Sequence, residues 1–286
     1  MGRARLLSVL LLVWLTAGPS ARAAPDTSGR PQALILTTAF GFYEGITLWA
    51  LLDDADLLPG DPVITGATLT LLTTGGSFAA GWYVTDRYGV NAAQASMITS
   101  SFFWTVLNAT TVGLEFDLDD DDLLWNSLMS GVTGQGLGIL LAANLDSTAG
   151  QVSLMNTVGT WTGAEAAIIL GLVGEKKAAR YLTWSTVAAD LGLLAGVYLA
   201  SKVHISQERA RFLDLGAFTG ALAAPAALFM VWGPEDNLRT WYLSAAAVGI
   251  PLGIATAWHL TRDMDAGPAA GTERSAFMVP LAGGVF

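Results

Sequence analysis

Eight apolar segments, each roughly twenty residues long, follow one another with only short polar breaks between them. They lie at about 33–52, 63–85, 95–114, 123–145, 152–173, 178–202, 210–232 and 238–261. At helical rise a run of that length crosses about 30 Å of hydrocarbon. The breaks carry Asp, Gly, Pro and Asn, the residues that end helices. A soluble core of this size is expected to give its helices polar outer faces, and most of these segments have none. Composition agrees: 52% of the residues are hydrophobic and 13% are charged, against about 25% charged in an ordinary soluble domain. The expectation is an all-α membrane protein of about eight spans.

Glycine spacing supports helices further. Gly41/Gly45, Gly134/Gly138, Gly159/Gly163, Gly192/Gly196, Gly216/Gly220 and Gly249/Gly253 are each four apart, so six of the eight segments carry Gly-x-x-x-Gly. In lipid, apolar side chains gain nothing by leaving hydrocarbon for one another, and helices associate where small residues let backbones approach. The glycines therefore read as packing faces, inside the chain and, as an expectation about partners, between copies in a homo-oligomer. In a nucleotide site the same motif would follow a strand and open a phosphate-binding turn; "GQGLG" (134–138) has neither setting.

The segments also recur. Gln94, Gln151 and Glu208 are 57 apart and each opens a segment after a polar turn; ten residues later stand Trp104-Thr105, Trp161-Thr162 and Phe218-Thr219. This predicts a 57-residue helix-pair repeat. In that frame the segments with Gly134/Gly138, Gly192/Gly196 and Gly249/Gly253 each lead a pair. Residues 33–52 then read as a second helix without its first, and 238–261 as a first helix whose partner is cut short.

The alternative architecture is a transmembrane β-barrel, suggested by an acidic chain, an export signal and a terminal Phe286. Barrel strands alternate apolar and polar residues over about ten positions. "AAIILGLVG" and "GLLAGVYLA" are apolar on both faces.

Residues 1–23 have the form of a secretory signal: Arg3 and Arg5, an apolar stretch Leu6–Ala17, and Ala21-Arg22-Ala23 as a cleavage site. The expected organisation is a signal at 1–23, a flexible stretch at 24–32, the helical repeat domain at 33–262 and a tail at 263–286. There is no cysteine, so disulfides and thiolate metal sites are excluded. Net charge is −10, and no basic stripe suits nucleic acid.

Four carboxylates, Glu44, Glu165, Asp190 and Asp214, sit inside apolar segments with no Lys or Arg at their depth. An intramembrane carboxylate costs several kcal/mol and marks a functional site by default. With Asn108 they are the candidates for a polar transport path. The competing reading makes them hydrogen-bonding groups that lock helices together in a seam with Asn108, Gln135 and Asn156. The expected function is thus a non-enzymatic channel or transport component of the cell envelope, with a structural or assembly protein as the alternative.

The acidic run "EFDLDDDD" (115–122) offers Asp117, Asp119, Asp120, Asp121 and Asp122 as a weak divalent-cation candidate. As an EF-hand it fails, with Asp122 where Gly is required and Leu128 where the bidentate Glu belongs. His204 and His259 are the only histidines and have no metalloprotease spacing; no nucleophile elbow is present. Neither catalysis nor a cofactor is expected.

Loop charges are lopsided. The side of the chain's N-terminus has seven Lys/Arg against seven acids, and the other side four against thirteen. With a cleaved signal this runs against the positive-inside tendency. It favours an outer envelope membrane over the inner one, the bilayer being the expected partner in either case.

Overall fold

The computed structural model describes residues 26–233 and 238–266. The signal-like segment 1–23, the loop residues 234–237 and most of the tail lie outside the described residues. Eight long α-helices account for most of the chain: α1 Arg30–Asp54, α2 Pro62–Tyr88, α3 Ala92–Glu115, α4 Asp120–Asn144, α5 Ala149–Val173, α6 Ala178–Ala200, α7 Gln207–Trp232 and α8 Arg239–Leu260. No strand occurs among the described residues, so the barrel alternative is set aside. All eight apolar segments are helices.

Five of the helices are long and apolar enough to cross a membrane: α1, α2, α6, α7 and α8. The expected eight is thereby reduced on composition. Ser, Thr, Asn and Gln dilute α3, α4 and α5, and in α3 they sit at Ser96, Thr99, Ser100, Ser101, Thr105 and Asn108.

The helices pack as antiparallel hairpins α1–α2, α3–α4, α5–α6 and α7–α8. This corrects the pairing frame read from the sequence. The helices that carry Gly134/Gly138, Gly192/Gly196 and Gly249/Gly253 pack on the helix before them, not the one after. Positions Gly134 and Gly138 of α4 show this: an added Cβ at Gly134 would stand 2.8 Å from the Ser101 carbonyl oxygen of α3, and at Gly138 2.7 Å from Ile98 Cα. On α6 the matching atoms are Val158 O, 2.8 Å from a Cβ at Gly192, and Met155 Cα, 2.8 Å from one at Gly196. Along α7–α8, Gly216 and Gly220 face Gly253 and Gly249 backbone to backbone. Each of the eight described helices has a hairpin partner, the first and last segments included.

The chain divides into two compact units, the first ending at Asn144 and the second beginning at Leu145. In the first, α1 reaches beyond its own hairpin to α3 and α4, while α2 packs on α1. In the second, α5 reaches α7 and α8, while α6 packs on α5.

Helix starts are defined locally. Asn91 and Thr148 form capping boxes with Gln94 and Gln151, and the Ser206 hydroxyl accepts from the Arg209 N–H. The third residue after each cap then reaches across its hairpin. Gln94 Nε2 donates to Ala142 O (3.4 Å), Gln151 Nε2 to Ala200 O (3.1 Å) and Arg209 Nη2 to Trp258 O (3.4 Å). The 57-residue spacing matches Glu208 to the two glutamines. The caps Thr148 and Ser206 are 58 residues apart where Asn91 and Thr148 are 57, which hands the role to Arg209 and leaves Glu208 exposed.

What is buried is mostly small. Alanine, glycine, serine and threonine line the helix contacts, and the largest fully buried side chains are Leu213, Ile250 and Val152. Large apolar side chains point outward instead: Met230 is 86% exposed, Leu71 73% and Leu194 68%.

Candidate functional site

Two of the four carboxylates, both half-buried, fall on contacts between hairpins. In the first unit Glu44, midway along α1, accepts a hydrogen bond from Gln135 Nε2 of α4 at 2.5 Å. One residue earlier, the Tyr43 hydroxyl bonds Ser127, also of α4. Aromatic rings close the same seam: Phe40 stacks on Phe102 of α3 with centroids 4.0 Å apart, and Tyr43 meets Phe102 edge-on at 5.6 Å. Gly131 leaves the space these rings fill, since a Cβ there would stand 3.0 Å from the Phe102 ring. Gln135, named in the sequence only as a seam residue, is thus the partner of Glu44.

In the second unit Asp214 of α7 accepts from the Trp161 indole N–H of α5 at 3.0 Å. Trp161, one of the aromatics that recur at the 57-residue spacing, thus has a polar role. Both seams have one geometry: a carboxylate joins the helix that leads the first hairpin of its unit to a helix of the second.

The other candidates are placed differently. Asn108 donates to the Trp104 carbonyl one turn back on α3, at 3.0 Å. Asp190 on α6 is half-buried and has an interaction partner, as has Asn156. Glu165 lies half-buried on α5, one turn beyond Trp161, with no hydrogen-bond partner found among the described residues. Glu44 and Asn108 belong to the first unit and Glu165, Asp190 and Asp214 to the second.

The acidic run is exposed throughout. Asp119 accepts from the Asp122 N–H at 2.9 Å and so starts α4 as a cap, while Asp117 takes a left-handed turn at φ 48°. Asp121 stands beside Asp54 at the end of α1, like charge next to like. Among the described residues no three acidic or histidine side chains are grouped to hold a metal ion. His204 and His259 are exposed.

Two clamps were missed in the sequence. Arg209, 6% exposed, pairs with Asp265 at 2.6 Å and lies 4.2 Å over the Trp258 ring, tying the start of α7 to the end of α8. Arg30 Nη2 stands 3.1 Å from Asp86 and the guanidinium lies 4.2 Å over Trp82, tying α1 to α2 in the same way. A guanidinium over an indole face gains from the ring quadrupole as well as from the carboxylate. Asp265 also accepts from the Ser206 N–H at 2.9 Å. Burial pushes its carboxyl up, but Arg209 and the Ser206 bonds outweigh this and hold it below the usual carboxylate range. The available signal was spacing: each Arg precedes its Asp by 56 residues.

Comparison with protein-family models, curated proteins and solved structures gave no match.

Proposed function

We propose that this chain is an integral membrane protein of the cell envelope. In this reading it serves as a helical scaffold or assembly component, and its buried carboxylates hold hairpins together. The membrane part rests on inverted packing: small residues inside, and large apolar side chains outside on helices long enough to span. Contiguous apolar surface of this extent on a water-soluble monomer is rare. The helices that fall short of spanning composition are packed against ones that reach it, and protein contacts take up polar groups such as Asn108, Asn126 and Gln135. The hairpin arrangement at residues 94, 151 and 209 supports descent from one repeated helix pair.

The observation that carries the scaffold role is the pair of hydrogen-bonded seams, Glu44–Gln135 and Asp214–Trp161. Each carboxylate has a neutral donor on another helix, which is how a polar group is accommodated between membrane helices. The test compares Glu44→Leu with wild type. Lower stability in detergent, with ion flux through proteoliposomes at the empty-vesicle level for both proteins, is the expected result. Flux in the wild type that Glu44→Leu abolishes without loss of stability overturns the scaffold reading.

Glu165 favours a second reading, a transport component. A carboxylate among apolar neighbours without a protein donor suits a cation- or proton-attracting position, and Glu165→Gln tests it by flux alone. On location, the acidic side of the chain leads us to place the protein in an outer envelope membrane, which density-gradient separation of the two membranes tests directly.

A further inference from the structure

We propose that copies of this chain associate laterally, the outer face of α2 in one copy packing on the outer face of α6 in the next. The inference rests on the membrane reading above. Each of these helices packs chiefly on its own hairpin partner, α2 on α1 and α6 on α5. Neither is the helix that carries its hairpin's contacts to the rest of its unit.

The two faces are complementary in charge. The turn leading into α2 holds Asp53, Asp54, Asp56 and Asp61 with no Lys or Arg between residues 52 and 63. The turn and first helical residues of α6 hold Lys176, Lys177 and Arg180 against one acid, Glu175. That carboxylate already accepts from the backbone N–H groups of Lys176 and Lys177, at 2.9 Å each. Exposed opposite charges at one depth select partner and register.

They also match in relief. On α2, Gly75 and Gly76 have nothing within 4 Å of an added Cβ, between the exposed Leu71 and Leu72 on one side and Phe78 on the other. Gly41, Gly45, Gly134, Gly138, Gly192 and Gly196, by contrast, each face a neighbouring helix. On α6, Leu191 and Leu194 project outward, 62% and 68% exposed. Counted from their first residues, Pro62 and Ala178, Gly75 and Leu191 both lie about 20 Å along their helices at 1.5 Å per residue. In the proposed contact α2 of one copy runs parallel to α6 of the next. The leucine ridge of one copy then meets the glycine hollow of another at the depth where acidic and basic turns also meet. Such a contact joins unlike faces, so it builds a ring or an open row of copies and not a two-fold dimer.

The chain has no cysteine, which makes the test direct. Two differently tagged copies are co-expressed, one carrying Gly76→Cys and the other Leu191→Cys, and their membranes are oxidised. A disulfide-linked species containing both tags is expected, with little product when both copies carry Gly76→Cys or both carry Leu191→Cys. In a separate membrane preparation, Gly76→Ile is expected to abolish the oligomer seen by chemical cross-linking while leaving helicity intact, because nothing within its own chain meets the new side chain. Absence of the mixed disulfide, equal yields from like pairs, or an oligomer unaffected by Gly76→Ile each overturn the proposal. Alkaline extraction reports separately on the reading beneath it. Release of the protein from membranes means the membrane reading has failed, and retention without the mixed disulfide means only this association has.

Discussion

Within α4 two glycines two residues apart have opposite surroundings, and replacing each by alanine isolates the value of close helix approach. At Gly138 an added Cβ would lie 2.7 Å from Ile98 Cα and 3.1 Å from both Ile98 O and Ser101 Cβ, mostly backbone atoms that cannot rotate away. At Gly136 nothing lies within 4 Å. Alanine gains about 1 kcal/mol of helix propensity over glycine at either position, so this term cancels in the comparison. What remains is overpacking. Ordinary contact begins near 3.4 Å, so α3 and α4 must part by about 0.7 Å, and a gap of 0.5–1 Å forfeits roughly a quarter to a half of each contact's attraction along the seam. Insertion of one methyl group into a tight contact costs about 1–3 kcal/mol. Gly136→Ala should therefore be about 1 kcal/mol more stable than wild type, and Gly138→Ala less stable than Gly136→Ala by about 1–3 kcal/mol. The measurement is unfolding in mixed micelles at increasing denaturing detergent, followed by far-ultraviolet circular dichroism. Equal stability of the two variants would falsify the close approach of α3 and α4.

Three further perturbations test other contacts. Asp265→Asn leaves Arg209 buried without its counter-charge and should cost about 3–5 kcal/mol at neutral pH, toward the lower end because Asp265 keeps some exposure. The Asp265 carboxyl is held below its ordinary range when folded, so the ion pair contributes fully above the unfolded value near pH 4 and is lost as pH falls through the lowered one. Wild-type and Asp265→Asn stabilities should accordingly converge in acid, as pH-dependent unfolding will show. Thr148→Ala should cost about 1 kcal/mol as a lost cap. Gln151→Ala should cost more, because the bond to Ala200 O across the hairpin is buried and goes with it; the two are compared by thermal unfolding. Asp214→Leu should release Trp161, read as a change in its indole fluorescence, and loosen the α5–α7 contact.

Helix content was legible in the sequence because it depends on short-range properties: run length, glycine period and turn residues. The hairpin frame was not. A glycine at Gly134 has two neighbouring helices in sequence, and spacing alone does not say which one its face meets; that is decided by where Ser101 and Ile98 present their backbone. The same limit applies to the carboxylates. Glu44 was visible as an anomaly in an apolar run, yet its partner Gln135 lies 91 residues away in a segment with ordinary polar content. Arg209 stands in the sequence as one more basic residue beside a polar turn, although three of its neighbours (Trp258, Asp265 and Ser206) give it a buried place. These cases share a cause. In a bundle stabilised by small-residue contacts, the polar residues choose among helix partners that apolar surface barely distinguishes. Two helices sliding past one another keep similar apolar contact, but Glu44 meets Gln135 in one register only. The buried polar groups therefore set which arrangement forms, even where each contributes little net stability. That is why a scaffold reading assigns them a purpose without requiring anything to pass between them.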